Sequence, residues 1–250
     1  MPTFNDLKGE TEQIDNGVAF EYRTEAKRSN LLSKVFLILF VSLILTGAAS
    51  YGIGYLVSGA VDMENETIFN VFIGAMYVSI FGLLIMSIAI PIALTRGKHS
   101  ILPYYILYQV FISILLSTLF LCFGLEIMAI SFGVTGVVFG IMALLGYLSK
   151  GSLHGLGLLS LAFFFGAIGL VLVNIFLQSE TVAWIVSFVM FAYILFITMY
   201  DVRRIKDIIN SGYENNNNNL VLYCAYILYV DYINILIRIV LYIAKAKSDD

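Results

Sequence analysis

Two aspartates, Asp201 and Asp231, are the residues of this 250-residue chain whose setting asks for a chemical explanation. Asp231 lies in the middle of LVLYCAYILYVDYINILIRIVLYIA, residues 220–244, an apolar run long enough to cross a bilayer. An ionisable group at that depth costs about 2.5–3.5 kcal/mol on insertion scales, so it faces a partner or a watery cavity rather than lipid. Asn234 and Arg238 follow on the same helical face, which predicts a polar stripe turned into a helix bundle. Asp201 stands in FITMYDVRRIKDIINSGY, where the preceding apolar run meets a basic link. If that helix continues to about residue 211 it rises about 15 Å beyond Asp201, and the return from Leu220 to Asp231 descends about 16 Å. The two carboxylates therefore come back to one level and can face each other in an antiparallel hairpin. Carboxylates in contact in a low-dielectric site do not both ionise cheaply; they titrate as a unit, which is the chemistry of a proton sensor. A cation that competes with a carboxyl–carboxyl hydrogen bond would make a two-state latch, and Arg96 is the best-placed candidate, with Arg203, Arg204 and Lys206 as alternatives.

The elements that must carry these groups follow from composition. The chain is 60% hydrophobic and 12% charged, where a soluble domain is about half apolar and a quarter charged, so an all-α integral membrane protein is expected. A net charge of −3 offers no basic surface for nucleic acid. Cys122 and Cys224 lie in apolar runs without metal-site spacing and read as buried small hydrophobes. Residues 1–30 read as a cytosolic tail with a short amphipathic piece at 18–30, and lack the basic start and apolar core of a signal peptide. Apolar runs then occur at about 35–58, 67–95, 101–123, 125–148, 155–177, 181–201 and 220–244, which predicts seven spanning helices within a 31–246 domain and a short tail at 247–250. Pro91 near the end of the second run is tolerable in a membrane helix. Lys and Arg populate the tail and the links after the second, fourth and sixth runs, while the alternate links carry none, so the N-terminus is expected in the cytosol. The terminal KAKSDD pulls against that orientation, and a full final span is favoured over a re-entrant one.

Other polar residues are weaker candidates. Glu126 reads as a helix N-terminal charge or part of an external cation mouth, and with Asn234 and Arg238 it completes a candidate ion pathway. Ser152 and His154 in KGSLHG lack the geometry of a catalytic triad. Lys245 is too near the end of its run to act as a Schiff base inside the bundle. Asn70, Gln109 and Asn174 read as interhelical hydrogen-bonding groups. Gly136-Val-Val-Phe-Gly140 reads as a small-xxx-small packing device, and Asn215–Asn219 as a flexible polar turn.

LLSKVFLILFVSLILTGAASY, LGYLSKGSLHGLG, VNIFLQS, MYDVRRIKDI and YVDYINILIRIV together resemble the Bax inhibitor-1 family, over nearly everything after the tail. The resemblance implies six helices wrapped around a central C-terminal helix and a pH-sensitive calcium leak, with no enzymatic activity and no cofactor beyond the transported calcium ion. It implies that the family's paired aspartates correspond to Asp201 and Asp231, its latch arginine to Arg96, and that calcium passes near the pair. A monomer in a bacterial plasma membrane is expected, with the endoplasmic reticulum as the alternative. Two rival readings are a non-conducting regulator of death or stress pathways and an intramembrane aspartyl protease. The protease is disfavoured because Asp231 lies in YVDY without a Gly-x-Gly-Asp motif and no Pro-Ala-Leu segment follows.

Overall fold

Long uninterrupted apolar stretches leave no water for the backbone, so every N–H and C=O must be satisfied within its own segment, and the described residues answer with helices alone. A computed structural model describes residues 4–62, 65–96, 100–149, 153–210 and 218–248. It holds six helices: α1 Phe4–Asp62, α2 Glu66–Arg96, α3 Leu102–Leu148, α4 Leu153–Leu177, α5 Glu180–Asn210 and α6 Asn218–Ser248. Each contains a stretch long and apolar enough to cross a membrane; in α1 that stretch is Asn30–Val61. Large side chains such as Leu37, Phe40, Val71, Phe81, Val137 and Phe176 point outward, an apolar exterior that suits lipid and not water. The molecule is an integral, multi-pass, all-helical membrane protein. The tail is helical from Phe4 and continuous with the Asn30–Val61 span in α1. Its Glu, Lys, Gln and Arg residues are good helix formers, and no proline follows Pro2 before the span begins. The turn through residues 212–217 and Ser152 lie outside the described residues.

The third and fourth apolar runs lie in one element, α3, whose 47 residues form two helical limbs that meet at a kink. Gly124 interrupts α3 with φ +75° and ψ 172°. Ile101 N–H donates to Asn219 Oδ1 at one end of α6, and Lys247 at the other end pairs with Glu126. Tyr232, in mid-helix, then donates to the Phe132 carbonyl beyond the break. The first limb of α3 therefore runs with α6 and the second runs back along it. Gly124 makes that reversal in a backbone region that other residues enter at a cost of about 1–3 kcal/mol. A Cβ at Gly124 would meet nothing within 4 Å, so the penalty of Gly124→Ala is expected to be purely conformational. A lowered thermal midpoint of the purified protein, with helicity unchanged, is the measurement that checks it.

Packing concentrates on α6. Its apolar window is 56% buried, against 11–22% in the other five helices, and α1, α2, α3 and α5 all pack on it while α4 packs on α5. The glycines that permit close approach are not the ones the small-xxx-small pattern singles out. Gly133 and Gly140 have open space where a Cβ would stand, and Gly136 has only the Tyr232 hydroxyl at 3.9 Å. Gly146 is a contact onto backbone: a Cβ there would lie 2.6 Å from the Met199 carbonyl oxygen on α5. The Cys122 reading also changes, since Cys122 is exposed while Cys224 is buried, both as free thiols.

Candidate functional site

The α5–α6 hairpin sets the level of the two aspartates. Near its open end Trp184 stacks on Tyr242 at 6.4 Å, Ser187 and Tyr242 share a hydroxyl contact at 3.0 Å, and Lys245 Nζ stands 4.7 Å over the Trp184 ring. Toward the link, the charge of Arg204 reaches Cys224. Between these fixed points Asp201 and Asp231 fall together, close enough for the charge of Asp201 to act on Asp231. Asp231 is 5% exposed, and its Oδ2 is buried with no hydrogen-bond partner among the described residues. A buried carboxylate oxygen left unpaired is expensive. Asp201 is half-buried. Tyr193, earlier on α5, lies within range of both acids.

The four cations weighed for the latch separate clearly. Arg203 donates to the Ser149 carbonyl and pairs with Asp207 at 3.4 Å. Lys206 donates to the Tyr147 carbonyl at 2.7 Å and lies 4.3 Å above the Tyr147 ring. Both thus satisfy the orphan carbonyls and the negative end of α3. Arg204 is the cation whose charge acts on Asp201. Arg96, at the end of α2, is exposed and lines a separate cavity with Tyr104; among the described residues it forms no ion pair with either aspartate.

The remaining candidates are not gathered around the pair. Asn234 is exposed, because three residues turn it about 60° away from Asp231 and off the packed face; the expectation that the whole stripe faces the bundle is corrected there. Arg238 is half-buried. Glu126 pairs with Lys247 at 2.9 Å, with side chains 74% and 56% exposed, a geometry in which an ion pair contributes little. His154 lines a small pocket with Gly157 and Tyr200. Gln109 donates to Ser42 Oγ across helices at 2.9 Å. Among the described residues no group of three or more His, Cys, Asp or Glu could hold a metal ion.

A tyrosine core, missed in the sequence reading, surrounds the level of the acids. Tyr226 and Tyr229 on α6 make edge-to-face contacts with Tyr105 and Tyr108 on α3, at centroid distances of 5.1–6.3 Å. Tyr105 donates to Ser42 Oγ at 2.9 Å, and the Tyr229 and Thr46 hydroxyls meet at 2.8 Å. Tyr232 packs on Phe139 beyond the α3 break. The signal was present as Tyr223, Tyr226, Tyr229 and Tyr232, one every third residue. Tyr229→Phe is expected to leave the buried Thr46 hydroxyl unpaired and to cost about 1–3 kcal/mol. The check is a thermal midpoint that falls in Tyr229→Phe and recovers in part when Thr46→Val removes the other partner.

Six helices long and apolar enough to cross a membrane, with two acidic side chains brought together between the last two, define a multi-pass membrane protein. Residues 28–248 match the family described as Inhibitor of apoptosis-promoting Bax1, and the chain belongs to that family. It is 28% identical to the Inner membrane protein YbhL of Escherichia coli over 211 residues, covering 83% of this chain and 88% of the relative. It is also 26% identical to the uncharacterized protein RP147 of Rickettsia prowazekii, over 86% and 89% of the two chains. An uncharacterized protein of Borreliella burgdorferi is 21% identical over 89% of this chain and 94% of its own.

Proposed function

We propose that this protein is a passive, pH-gated calcium leak, with Asp201 and Asp231 as the proton-sensitive gate. The observation that carries this reading is the unpartnered, buried Asp231 Oδ2 beside the charge of Asp201. One proton more or less in such a pair changes the force between α5 and α6, because two like charges in a low-dielectric site repel strongly. Arg204 supplies the competing positive charge, and Tyr193 is a further titratable group within range of both acids. Carboxylate oxygens suit a hard divalent cation in transit. The barrier is the tyrosine-lined packing of α6, which acts as a central helix within six surrounding spans once the two limbs of α3 are counted as separate crossings.

The same reading places the N-terminus in the cytosol, by the distribution of Lys and Arg. The Glu126–Lys247 pair favours a full final span over a re-entrant one, since it sets the end of α6 beside the α3 turn and away from the Arg203–Lys206 end. YbhL is an inner membrane protein, and a bacterial inner membrane is the setting proposed for this chain. Calcium flux into dye-loaded liposomes, with wild-type protein and the Asp201→Asn and Asp231→Asn variants, tests the function. Flux from wild-type protein that responds to pH supports it; absence of any wild-type flux removes the leak.

A further inference from the structure

One cavity lies away from the aspartates. About 840 Å³ in volume, it is an open groove lined by Ile85, Ile88, Ala89, Ile92 and Ala93 of α2 together with Arg96 and Tyr104. The α2 residues recur at helical spacing, so they form one continuous apolar stripe that ends in a guanidinium. From Ile85 to Arg96 the stripe is about 16 Å long, close to half of a bilayer's roughly 30 Å hydrocarbon core. Its depth is therefore that of one leaflet, with the cation where lipid headgroups begin. Ala89 and Ala93 keep the floor open, since a larger side chain at either position would occupy the cavity. Arg96 is exposed and forms no ion pair with a described residue, so its donors are available to a ligand.

We propose that this cavity is a binding site for an anionic membrane phospholipid, with an acyl chain along the α2 stripe and the phosphate held by Arg96 and the Tyr104 hydroxyl. Charge selects the headgroup and the apolar wall selects a membrane source. Planar guanidinium donors match phosphate oxygens in pairs, which a neutral amide does not reproduce. A zwitterionic lipid shares the phosphate but brings its own cation close to Arg96, which weakens the contact. The site is independent of the acid pair and uses an arginine that the pair leaves aside.

The test weighs the intact full-length protein in mild detergent by native mass spectrometry, with equal phosphatidylglycerol and phosphatidylcholine of identical chains. Wild-type protein is expected to retain phosphatidylglycerol about tenfold better. Arg96→Gln is expected to retain the two lipids equally, Arg96→Lys to keep part of the preference, and Ala89→Trp to lose both lipids. Lys34→Gln, which removes an exposed charge on α1, is expected to behave as wild type. Equal retention of both lipids by wild-type protein, or an unchanged preference in Arg96→Gln, overturns the proposal. Displacement of phosphatidylglycerol by millimolar inorganic phosphate would also overturn it, by showing a site for soluble anions. Should Arg96→Gln fail to elute as a single folded species, Arg96→Lys and Ala89→Trp decide the result.

Discussion

Replacing either Asp201 or Asp231 with asparagine is expected to flatten the pH response of calcium flux. Asparagine keeps the shape of the side chain and its hydrogen-bonding capacity but cannot exchange a proton. In wild-type protein, a gate whose two states are rebalanced by about 1.4 kcal/mol changes its open-to-closed ratio about tenfold, and that is the scale of response anticipated across about pH 6 to 8. The flattening does not depend on which state conducts: with one acid gone, the pair has lost the like-charge repulsion that couples its members. The Asp231 variant should show the larger change, because Asp231 is 5% exposed while Asp201 is half-buried and has Arg204 within range. Wild-type pH dependence surviving in both variants would eliminate the paired-acid gate. Arg204→Gln should shift the response along the pH axis and leave it intact, since the arginine biases the pair without being a member of it.

The second large effect belongs to Gly146. Its missing side chain lets the second limb of α3 press on the α5 backbone, and a Cβ would stand 2.6 Å from the Met199 carbonyl oxygen and 3.1 Å from the Met199 Cα. Backbone atoms cannot swing aside as a side chain can, so Gly146→Ala is expected near the upper end of the usual overpacking cost of about 1–3 kcal/mol. Met199 lies two residues before Asp201, so whatever shift relieves the clash also displaces the acid. A lower thermal midpoint together with an altered flux–pH profile is the expected pair of outcomes. Gly140→Ala is the contrast, because nothing lies within 4 Å of its added methyl. There the helical preference for alanine over glycine should leave stability equal or raised, by up to about 1 kcal/mol. Equal losses in the two variants would refute the assignment of the α3–α5 contact to Gly146.

Much of this arrangement could be read from the chain, because length and helical rise are local quantities. The apolar runs, the break near Gly124 and the level shared by Asp201 and Asp231 all follow from counting residues along straight helices. What counting cannot supply is the identity of the neighbour. Arg203, Arg204 and Lys206 are indistinguishable by composition; α3's C-terminal carbonyls, more than fifty residues away in sequence, occupy the first and third and leave Arg204 for Asp201. Asn234 and Asp231 lie on one nominal face, yet a 60° turn decides between packed core and exposed surface. Gly140 and Gly146 are alike as letters, and only the path of α5 tells which one is pressed.

The tyrosines of α6 carry one more implication. At 100° per residue, a repeat of three falls short of a full circle by about 60°, so Tyr223, Tyr226, Tyr229 and Tyr232 fan around half of the helix circumference. Their partners change accordingly, from Tyr105 and Tyr108 before the α3 break to Phe132 and Phe139 after it. A stripe on one side would let α6 roll like a rod in a trough; a spiral keys it like a splined shaft. Rotation that carries Asp231 to a new bearing has to unseat rings on both limbs of α3 at once.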